Sequence, residues 1–509
     1  MNNNTISNFV KIWVNQNKRT PFNIAIVKRV LSFLYNFLNQ VCCPDENNLI
    51  PASVSKTRED DLFLFIKTQV KNNTPNIKDV SKARNILLQY IDNCCYDLDE
   101  DTLYAYIVYG QSNGTGMGFQ PLSNVNNVAF NGSVKIQWDG VDEKQLIVTP
   151  NVSIGVDIDG DYIDRINEPV EFVGDYNPSV IGSNELTKII SQNKARKIQF
   201  ISINASRNGA TTDDISSFSP GQPYLNVGSS NYALLLQAIQ VAQNYAISIG
   251  KKFKVPFIVY VQGETEVLFA DGLGLTTQIY YNQVINLIQN LNRDISLITG
   301  QTTPVYFFDM QVSWDFEPSS DLNARDMLVK QAQYELNNGT TLFAIYPSQQ
   351  LSTLSGSGHY DNYQIFKWSQ SVAKNIYYTL YEGKNYVFNV NSILKEGNQL
   401  VLNLNVPVPP IYIDTSLGIT QNSNFYAIDI LGNPLTITNV AVTGPDQITI
   451  TFASTLGDGY IYYGWTKDYL NNPDTSDLRP GSFVVDSDSY VSSLGIPCKN
   501  YLLSFQLSF

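Results

Sequence analysis

The chain carries a single histidine, His359, in the run Ser355-Gly356-Ser357-Gly358-His359-Tyr360. General-base chemistry near neutral pH draws on an imidazole, so any serine-histidine mechanism in this chain has to use it. On position alone an incidental surface histidine is the simpler reading. A serine of the right kind is also present, in Tyr109-Gly110-Gln111-Ser112-Asn113-Gly114-Thr115-Gly116. This run directly follows the apolar segment Leu103 to Tyr109, which reads as a buried strand. A serine on a strand-to-helix turn between small residues presents its hydroxyl at the carboxyl edge of a sheet and leaves its own N–H free to donate.

Other groups that could do chemistry are fewer. Asp157, Asp159 and Asp161, with Glu168 at the twelfth place of the count, have the oxygen spacing of a calcium loop. The sharp-turn position that calls for glycine holds Tyr162, and Val152 to Val156 alternates like a strand entering a hairpin at Asp159-Gly160. A solvated turn is therefore the preferred reading, with calcium the lesser one and no other metal candidate. The five cysteines fall as Cys42-Cys43, Cys94-Cys95 and Cys498, without a C-x-x-C pair. They read as buried thiols rather than a zinc site or a disulfide framework.

The elements that must position Ser112 and His359 follow from periodicity. From Thr102 short apolar runs alternate with long amphipathic ones. The runs Leu103 to Tyr109, Ile198 to Ala205, Phe257 to Val261, Val305 to Met310 and Leu342 to Tyr346 are expected to be buried strands. Helices are expected over Tyr232 to Ile249, Thr276 to Leu291, Leu322 to Asn337 and Tyr363 to Leu380, with Gly250 and Gly339 as stops. Such alternation implies an α/β fold, a parallel sheet with helices on both faces, and places a site in the loops at the carboxyl ends of the strands. Residues 1–98 read as helical, with apolar spacing over Ile24 to Val41 and Asp79 to Asn93. After Gly383 the period becomes two, as in Val401 to Val406 and Gln447 to Phe452, which predicts an antiparallel β-sandwich over 385–509. The expected organisation is thus a helical region 1–98, an α/β domain 99–384 and a β-sandwich module 385–509.

The string Gly110-Gln111-Ser112-Asn113 resembles the nucleophile block of the SGNH (GDSL-type) hydrolases, in the branch that contains sialate O-acetylesterase-like and acetylxylan-esterase-like proteins. Two further segments strengthen the resemblance, Asn204-Ala205-Ser206-Arg207-Asn208-Gly209 and Gln262-Gly263-Glu264-Thr265-Glu266, although Glu266 stands where that branch usually has aspartate. The three blocks occur in the family's order within roughly residues 102–382. The resemblance implies a carbohydrate O-acetylesterase without a cofactor. Ser112 would be the nucleophile and His359 the base, with an oxyanion hole from the N–H groups of Ser112 and Gly209 and the side chain of Gln262. Asn113, Glu264 and Asp361 are the supporting candidates. The last block departs from the pattern, because the positions where the family has an aspartate before the histidine hold Gly356 and Ser357. Some members of the superfamily work as serine-histidine pairs with a backbone carbonyl in the acid's place. Asp361, two residues after His359, suits an N-cap of the following helix better than a displaced acid.

Composition bounds the partners. With 33 Lys+Arg against 46 Asp+Glu the net charge is -13, so the average field repels a phosphate backbone and nucleic acid is not an expected partner. The 43% hydrophobic residues suffice for buried cores, and the apolar stretch after Ile24 is broken by Lys28, Arg29, Asn36 and Asn39, so no membrane span is expected. The first residues lack the pattern of a secretory signal. Together with the Asn- and Tyr-rich composition, the resemblance of the region after Gly383 to modules beside esterase domains in bacterial and phage proteins suggests a phage virion or the producing cell's cytoplasm. The expected partners are an acetylated glycan and virion proteins contacted through residues 1–98, and a homo-oligomer stays open. A rival reading is a non-catalytic virion or glycan-adhesion protein on a degenerate esterase scaffold.

Overall fold

The computed structural model describes residues 98–115, 134–138, 146–150, 178–194, 196–312, 322–339, 343–347, 360, 362–384, 386–415, 421–464, 484–493 and 495–509. The expected N-terminal helices, the acidic run Asp157 to Glu168, His359 and Asp361 lie outside the described residues. Residues 97–509 form one compact unit.

A seven-stranded sheet with the order β3-β2-β4-β1-β5-β6-β7 forms the centre. Its strands are β1 (Thr102–Gly110), β2 (Val134–Trp138), β3 (Leu146–Pro150), β4 (Gln199–Asn204), β5 (Lys252–Val261), β6 (Tyr306–Gln311) and β7 (Phe343–Pro347). All pairings are parallel except that of β2 with β3. Every residue of β1 is buried, as a strand with neighbours on both edges and helices on both faces requires. Much of the aromatic content is spent here, where Tyr106 meets Phe257 edge to face at 5.1 Å and Phe257 meets Phe308 at 6.0 Å.

The connecting helices are α1 (Ser112–Thr115), α2 (Pro178–Lys194), α3 (Ser230–Ser248), α4 (Glu264–Leu273), α5 (Thr277–Thr299), α6 (Leu322–Gly339) and α7 (Asn362–Ile376). A π-helical turn, Tyr377–Tyr381, continues α7. Ser229 caps α3 by accepting the Tyr232 N–H, and Thr276 caps α5 by accepting that of Ile279. Helix α5 runs eight residues beyond the expected Leu291. Its apolar stripe continues through Ile295, and the chain turns only at Gly300, whose φ of 70° is left-handed.

The region after Gly383 is antiparallel, as its period of two predicts. One sheet has the order β12-β13-β9-β8 and a second the order β11-β14-β16, with a short pair β10-β15. The strands are β8 (Asn389–Glu396), β9 (Gln399–Asn405), β10 (Ile411–Ile413), β11 (Phe425–Asp429), β12 (Ile437–Gly444), β13 (Gln447–Phe452), β14 (Gly459–Tyr463), β15 (Val484–Asp486) and β16 (Phe505–Ser508). Leu400, Leu402 and Leu404 of β9 and Ile448, Ile450 and Phe452 of β13 point inward and join the same apolar cluster as Val329 and Tyr334 of α6.

Polar contacts between the two regions are buried as well. Gln311 at the end of β6 donates to the Ser504 carbonyl at 2.9 Å and accepts the Ser504 N–H at 2.8 Å. The fully buried Lys374 of α7 pairs with Asp488 at 2.8 Å and donates to Asn500 Oδ1 at 2.9 Å and to the Cys498 carbonyl. Glu185 of α2, also buried, accepts from the Tyr490 hydroxyl and from Ser493 N–H at 3.1 Å. Residues 488–500 therefore anchor the two helices that flank one another on one side of the central sheet.

Candidate active site

The end of β1 is shaped by glycine. A Cβ on Gly110 would lie 2.0 Å from the Val261 carbonyl oxygen, so only glycine lets the ends of β1 and β5 come this close. The Gln111 N–H then donates to that oxygen at 2.8 Å, and the chain turns at once into α1. Ser112 opens this single turn. It is 9% exposed, more enclosed than a serine on an open turn would be. Among the described residues, neither its N–H nor its hydroxyl has a hydrogen-bond partner.

The three sequence blocks meet at this turn. Gln111 Oε1 accepts from the Thr265 N–H and the Thr265 hydroxyl, each at 3.0 Å, which fastens the serine turn to the start of α4. Asn113 Nδ2 donates to Glu264 Oε1 at 3.0 Å, and Asn113 Oδ1 accepts the Tyr360 N–H at 3.4 Å. The residue after Ser112 thus holds the residue after His359. From the other side, Asn204 Nδ2 donates to the Gly114 carbonyl at 2.8 Å and the Arg207 N–H to the Gly110 carbonyl at 2.9 Å. The loop after β4 that carries Gly209 therefore runs beside the serine turn. Gly209 has a φ of 67°, and among the described residues its N–H has no partner.

Gln262 is buried at the end of β5. Its Oε1 accepts from the Thr212 hydroxyl at 2.7 Å and the Tyr280 hydroxyl at 2.8 Å. Its Nε2 donates to the Ala210 carbonyl at 3.3 Å and to Glu266. Both ends of the amide are thus engaged by protein, and its bonds lock residues 210–212 against the β5 end. Gly263, with φ of 135°, sits where a Cβ would lie 2.4 Å from Val312.

Three carboxyls lie beneath the turn, all at least 95% buried: Glu264, Glu266 and Asp309. Burial pushes each of them up, Glu266 to about 8 and Asp309 well above the usual carboxylate range. The Glu264 charge adds to the upward push on both of the others. Against this, Glu266 accepts from the Thr212 N–H, and Asp309 accepts from Gln333 Nε2 at 2.7 Å. Thr212, Asp309 and Gln333 belong to none of the sequence blocks. The only hint of Asp309 in the sequence is a lone acid in an otherwise apolar strand. Glu266 was visible as a departure from the branch's usual aspartate.

Of the residues singled out in the sequence, the structure brings together Ser112, Asn113, Gly209, Gln262 and Glu264. Among the described residues no group of three or more His, Cys, Asp or Glu side chains could hold a metal ion. No helix among them is long and apolar enough to cross a membrane.

The described chain is thus a mixed α/β protein with a serine-bearing turn at the carboxyl end of its central strand. No family profile matches it, and no curated protein matches its sequence. Solved structures similar to it include a carbohydrate acetylesterase from Xanthomonas citri, at 12% identity and a TM-score of 0.49, covering 80% of this chain and 80% of that one. A carbohydrate acetylesterase from Sinorhizobium meliloti is similar at 9% identity and a TM-score of 0.30, covering 54% of this chain and 97% of that one. An aryl esterase from M. smegmatis is similar at 9% identity and a TM-score of 0.29, with the same coverage of 54% and 97%.

Proposed function

We propose that the chain is an ester hydrolase that removes acetyl groups from a glycan. The observation that carries this reading is the convergence on one strand end of a serine whose hydroxyl and N–H are unbonded among the described residues and a loop glycine whose N–H is unbonded as well. Side-chain bonds from Gln111, Asn113 and Asn204 hold the two in register.

In the proposed mechanism Ser112 Oγ attacks the acetyl carbonyl while His359 takes its proton. The N–H groups of Ser112 and Gly209 receive the oxyanion, each worth on the order of a hundredfold or more in rate. Collapse breaks the bond from the acetyl carbon to the sugar oxygen, which takes the proton from His359 and leaves as a hydroxyl. Water then gives a proton to His359 as it attacks the acetyl-enzyme, and that proton returns to Ser112 Oγ as acetate leaves. Gln262 enters as the buttress of the Gly209 loop, since its amide is engaged on both sides. The bond from the Tyr360 N–H to Asn113 supports the use of His359, because it ties the chain next to the histidine to the residue next to the nucleophile.

The expected test result is hydrolysis of 4-nitrophenyl acetate and of an acetylated saccharide by the purified protein. Ser112→Ala should lower turnover by about three orders of magnitude or more with the melting temperature within about 2 °C of wild type. A second reading, an adhesion protein on an inactive scaffold attached to a virion through residues 1–98, is favoured by Gly356 and Ser357 standing where an acid is expected. Equal inertness of wild type and Ser112→Ala on both substrates would establish that reading instead.

A further inference from the structure

We infer that Gln222 is a positioning residue for the proposed esterase reaction, holding the turn 207–210 in the form that sets the direction of the Gly209 N–H. The inference deepens the proposed function and rests on it.

The turn is closed by the Ala210 N–H, which donates to the Arg207 carbonyl at 3.2 Å. Of its two central residues only Gly209 has a left-handed φ, 67°, which is the type II form. The type I form has a negative φ at that place, and passing from one form to the other turns the central peptide over. That peptide carries the Gly209 N–H, so the direction of the proposed oxyanion donor depends on which form is kept. Glycine adopts either sign of φ about as readily, so Gly209 permits the type II form without enforcing it. A contact from outside the turn has to select it.

Gln222 makes that contact. Its Nε2 donates to the Gly209 carbonyl and stands 2.9 Å from where a Cβ on Gly209 would be, so the amide lies against the face of the glycine that a side chain would cover. The segment that carries Gln222 is fixed to the same frame as the nucleophile. The Thr211 N–H donates to the Pro223 carbonyl at 3.0 Å and the Leu225 N–H to the Thr211 carbonyl at 2.9 Å. The hydroxyl of Tyr109 in β1, three residues before Ser112, donates to the Leu225 carbonyl at 2.7 Å. On its other side the turn leans on the serine itself. The Arg207 N–H bonds the Gly110 carbonyl, and Asn208 Oδ1 lies 3.4 Å from the Thr115 hydroxyl, which donates to the Ser112 carbonyl at 2.7 Å. That hydroxyl has one proton and gives it to the nearer acceptor, so the hold on Asn208 is the weaker one and the bond from Gln222 decides the form of the turn.

Two variants isolate this role. Gln222→Met keeps the length of the side chain and removes the donor, while Gln222→Glu keeps the shape and sets an acceptor against the Gly209 carbonyl. A packing role predicts that both behave as wild type. Control of the turn predicts that kcat for 4-nitrophenyl acetate falls between about tenfold and a hundredfold in Gln222→Met and further in Gln222→Glu, with KM within about twofold of wild type. The melting temperature should stay within about 3 °C, as expected for one half-buried hydrogen bond. Protein labelled with 13C-carbonyl asparagine and 15N-glycine reads the turn without turnover, because its correlation spectrum shows only Asn113-Gly114, Asn131-Gly132, Asn208-Gly209 and Asn338-Gly339. The Gly209 signal, assigned by its loss in Asn208→Gln, should move further in Gln222→Met than the other three. A kcat within about twofold of wild type in both variants, a loss of activity that tracks a loss of the fold, or a Gly209 signal that stays in place would overturn the inference. Wild type inert on 4-nitrophenyl acetate and on an acetylated saccharide, with the Gly209 signal still moved in Gln222→Met, would overturn the esterase reading alone and leave the hold on the turn standing.

Discussion

Replacing Lys374 by methionine tests how the C-terminal segment secures the helix that follows His359. The Lys374 side chain is fully buried, and its ammonium group bonds Asp488, Asn500 and the Cys498 carbonyl. Asp488 Oδ2 also accepts from the Tyr386 hydroxyl at 2.7 Å. Removing one partner of a buried pair costs about 3–5 kcal/mol, because the remaining charge keeps its desolvation penalty. With an unfolding entropy of about 2 cal/mol/K per residue, a unit of about 400 residues turns this into a fall in melting temperature of about 3–6 °C. The pH dependence adds a second signature. Burial, the largest influence on Asp488, pushes its carboxyl up, but the Lys374 ammonium together with the Tyr386 hydroxyl and the Tyr490 N–H outweighs it and the net shift is downward. A depressed carboxylate contributes stability above its unfolded pKa that is lost as pH falls through the folded value. The gap between wild type and Lys374→Met, followed by calorimetry, should therefore be widest at neutral pH and narrow below about pH 4. Lys374→Met with Asp488→Leu should recover part of the loss, and only part, because Asp488 Oδ1 also accepts the Tyr490 N–H at 2.9 Å. A melting temperature within 1 °C of wild type, or a gap that does not change with pH, would refute the reasoning.

Gly110→Ala should unfold the protein or cost more than about 4 kcal/mol, since its Cβ meets a backbone oxygen, whereas Gly457→Ala, with open space around it, should be within about 1 kcal/mol in denaturant melts. Glu266, raised to about 8, contributes stability that is full below its unfolded value of 4.5 and is lost as pH rises toward 8. Glu266→Gln should therefore flatten the decline of melting temperature between pH 5 and 8, a contribution on the order of 5 kcal/mol in wild type. Asn113→Ala removes both the donor to Glu264 and the acceptor for Tyr360, and should lower kcat for 4-nitrophenyl acetate at least tenfold with KM little changed.

The parallel strands were legible because a strand buried on both faces is a continuous apolar run, and β1, β4, β5 and β6 begin or end within a few residues of their expected limits. Helix α2 was not anticipated. Its buried positions include Ser179, Ser183 and Glu185, which break the apolar stripe, and the buried Glu185 finds hydrogen bonds from Tyr490 and Ser493 at the far end of the chain. The same holds for Lys374, which reads as a solvated residue until residues 488–500 close over it. Local pattern carries the sheet, and pairings more than a hundred residues apart carry its attachment to the antiparallel region. In the site, Ser112, Gly209 and Gln262 stood out by motif. The amide of Gln262 was expected to face the oxyanion, and the Thr212, Tyr280 and Glu266 bonds that engage it come from residues no motif marks.

The buried carboxyls also bear on how an acidic chain can stabilise an anion. A formal charge of -13 and two glutamates within a few residues of Gln262 oppose the tetrahedral oxyanion that the proposed mechanism places at Ser112. Burial lessens that opposition, because Glu264, Glu266 and Asp309 are all pushed toward their neutral forms, and ionising Glu264 makes the other two harder to ionise. A neutral carboxyl keeps its hydrogen-bonding capacity, so Glu264 still receives Asn113 Nδ2 and Glu266 still receives the Thr212 N–H. In the proposed mechanism the N–H groups of Ser112 and Gly209 would then face developing charge with the ionised forms of these carboxyls disfavoured by burial. In the proposed site the carboxyls would fix the geometry of the serine turn and the glycine loop through the bonds they accept, while the upward push of burial on each of them would lessen their opposition to an oxyanion.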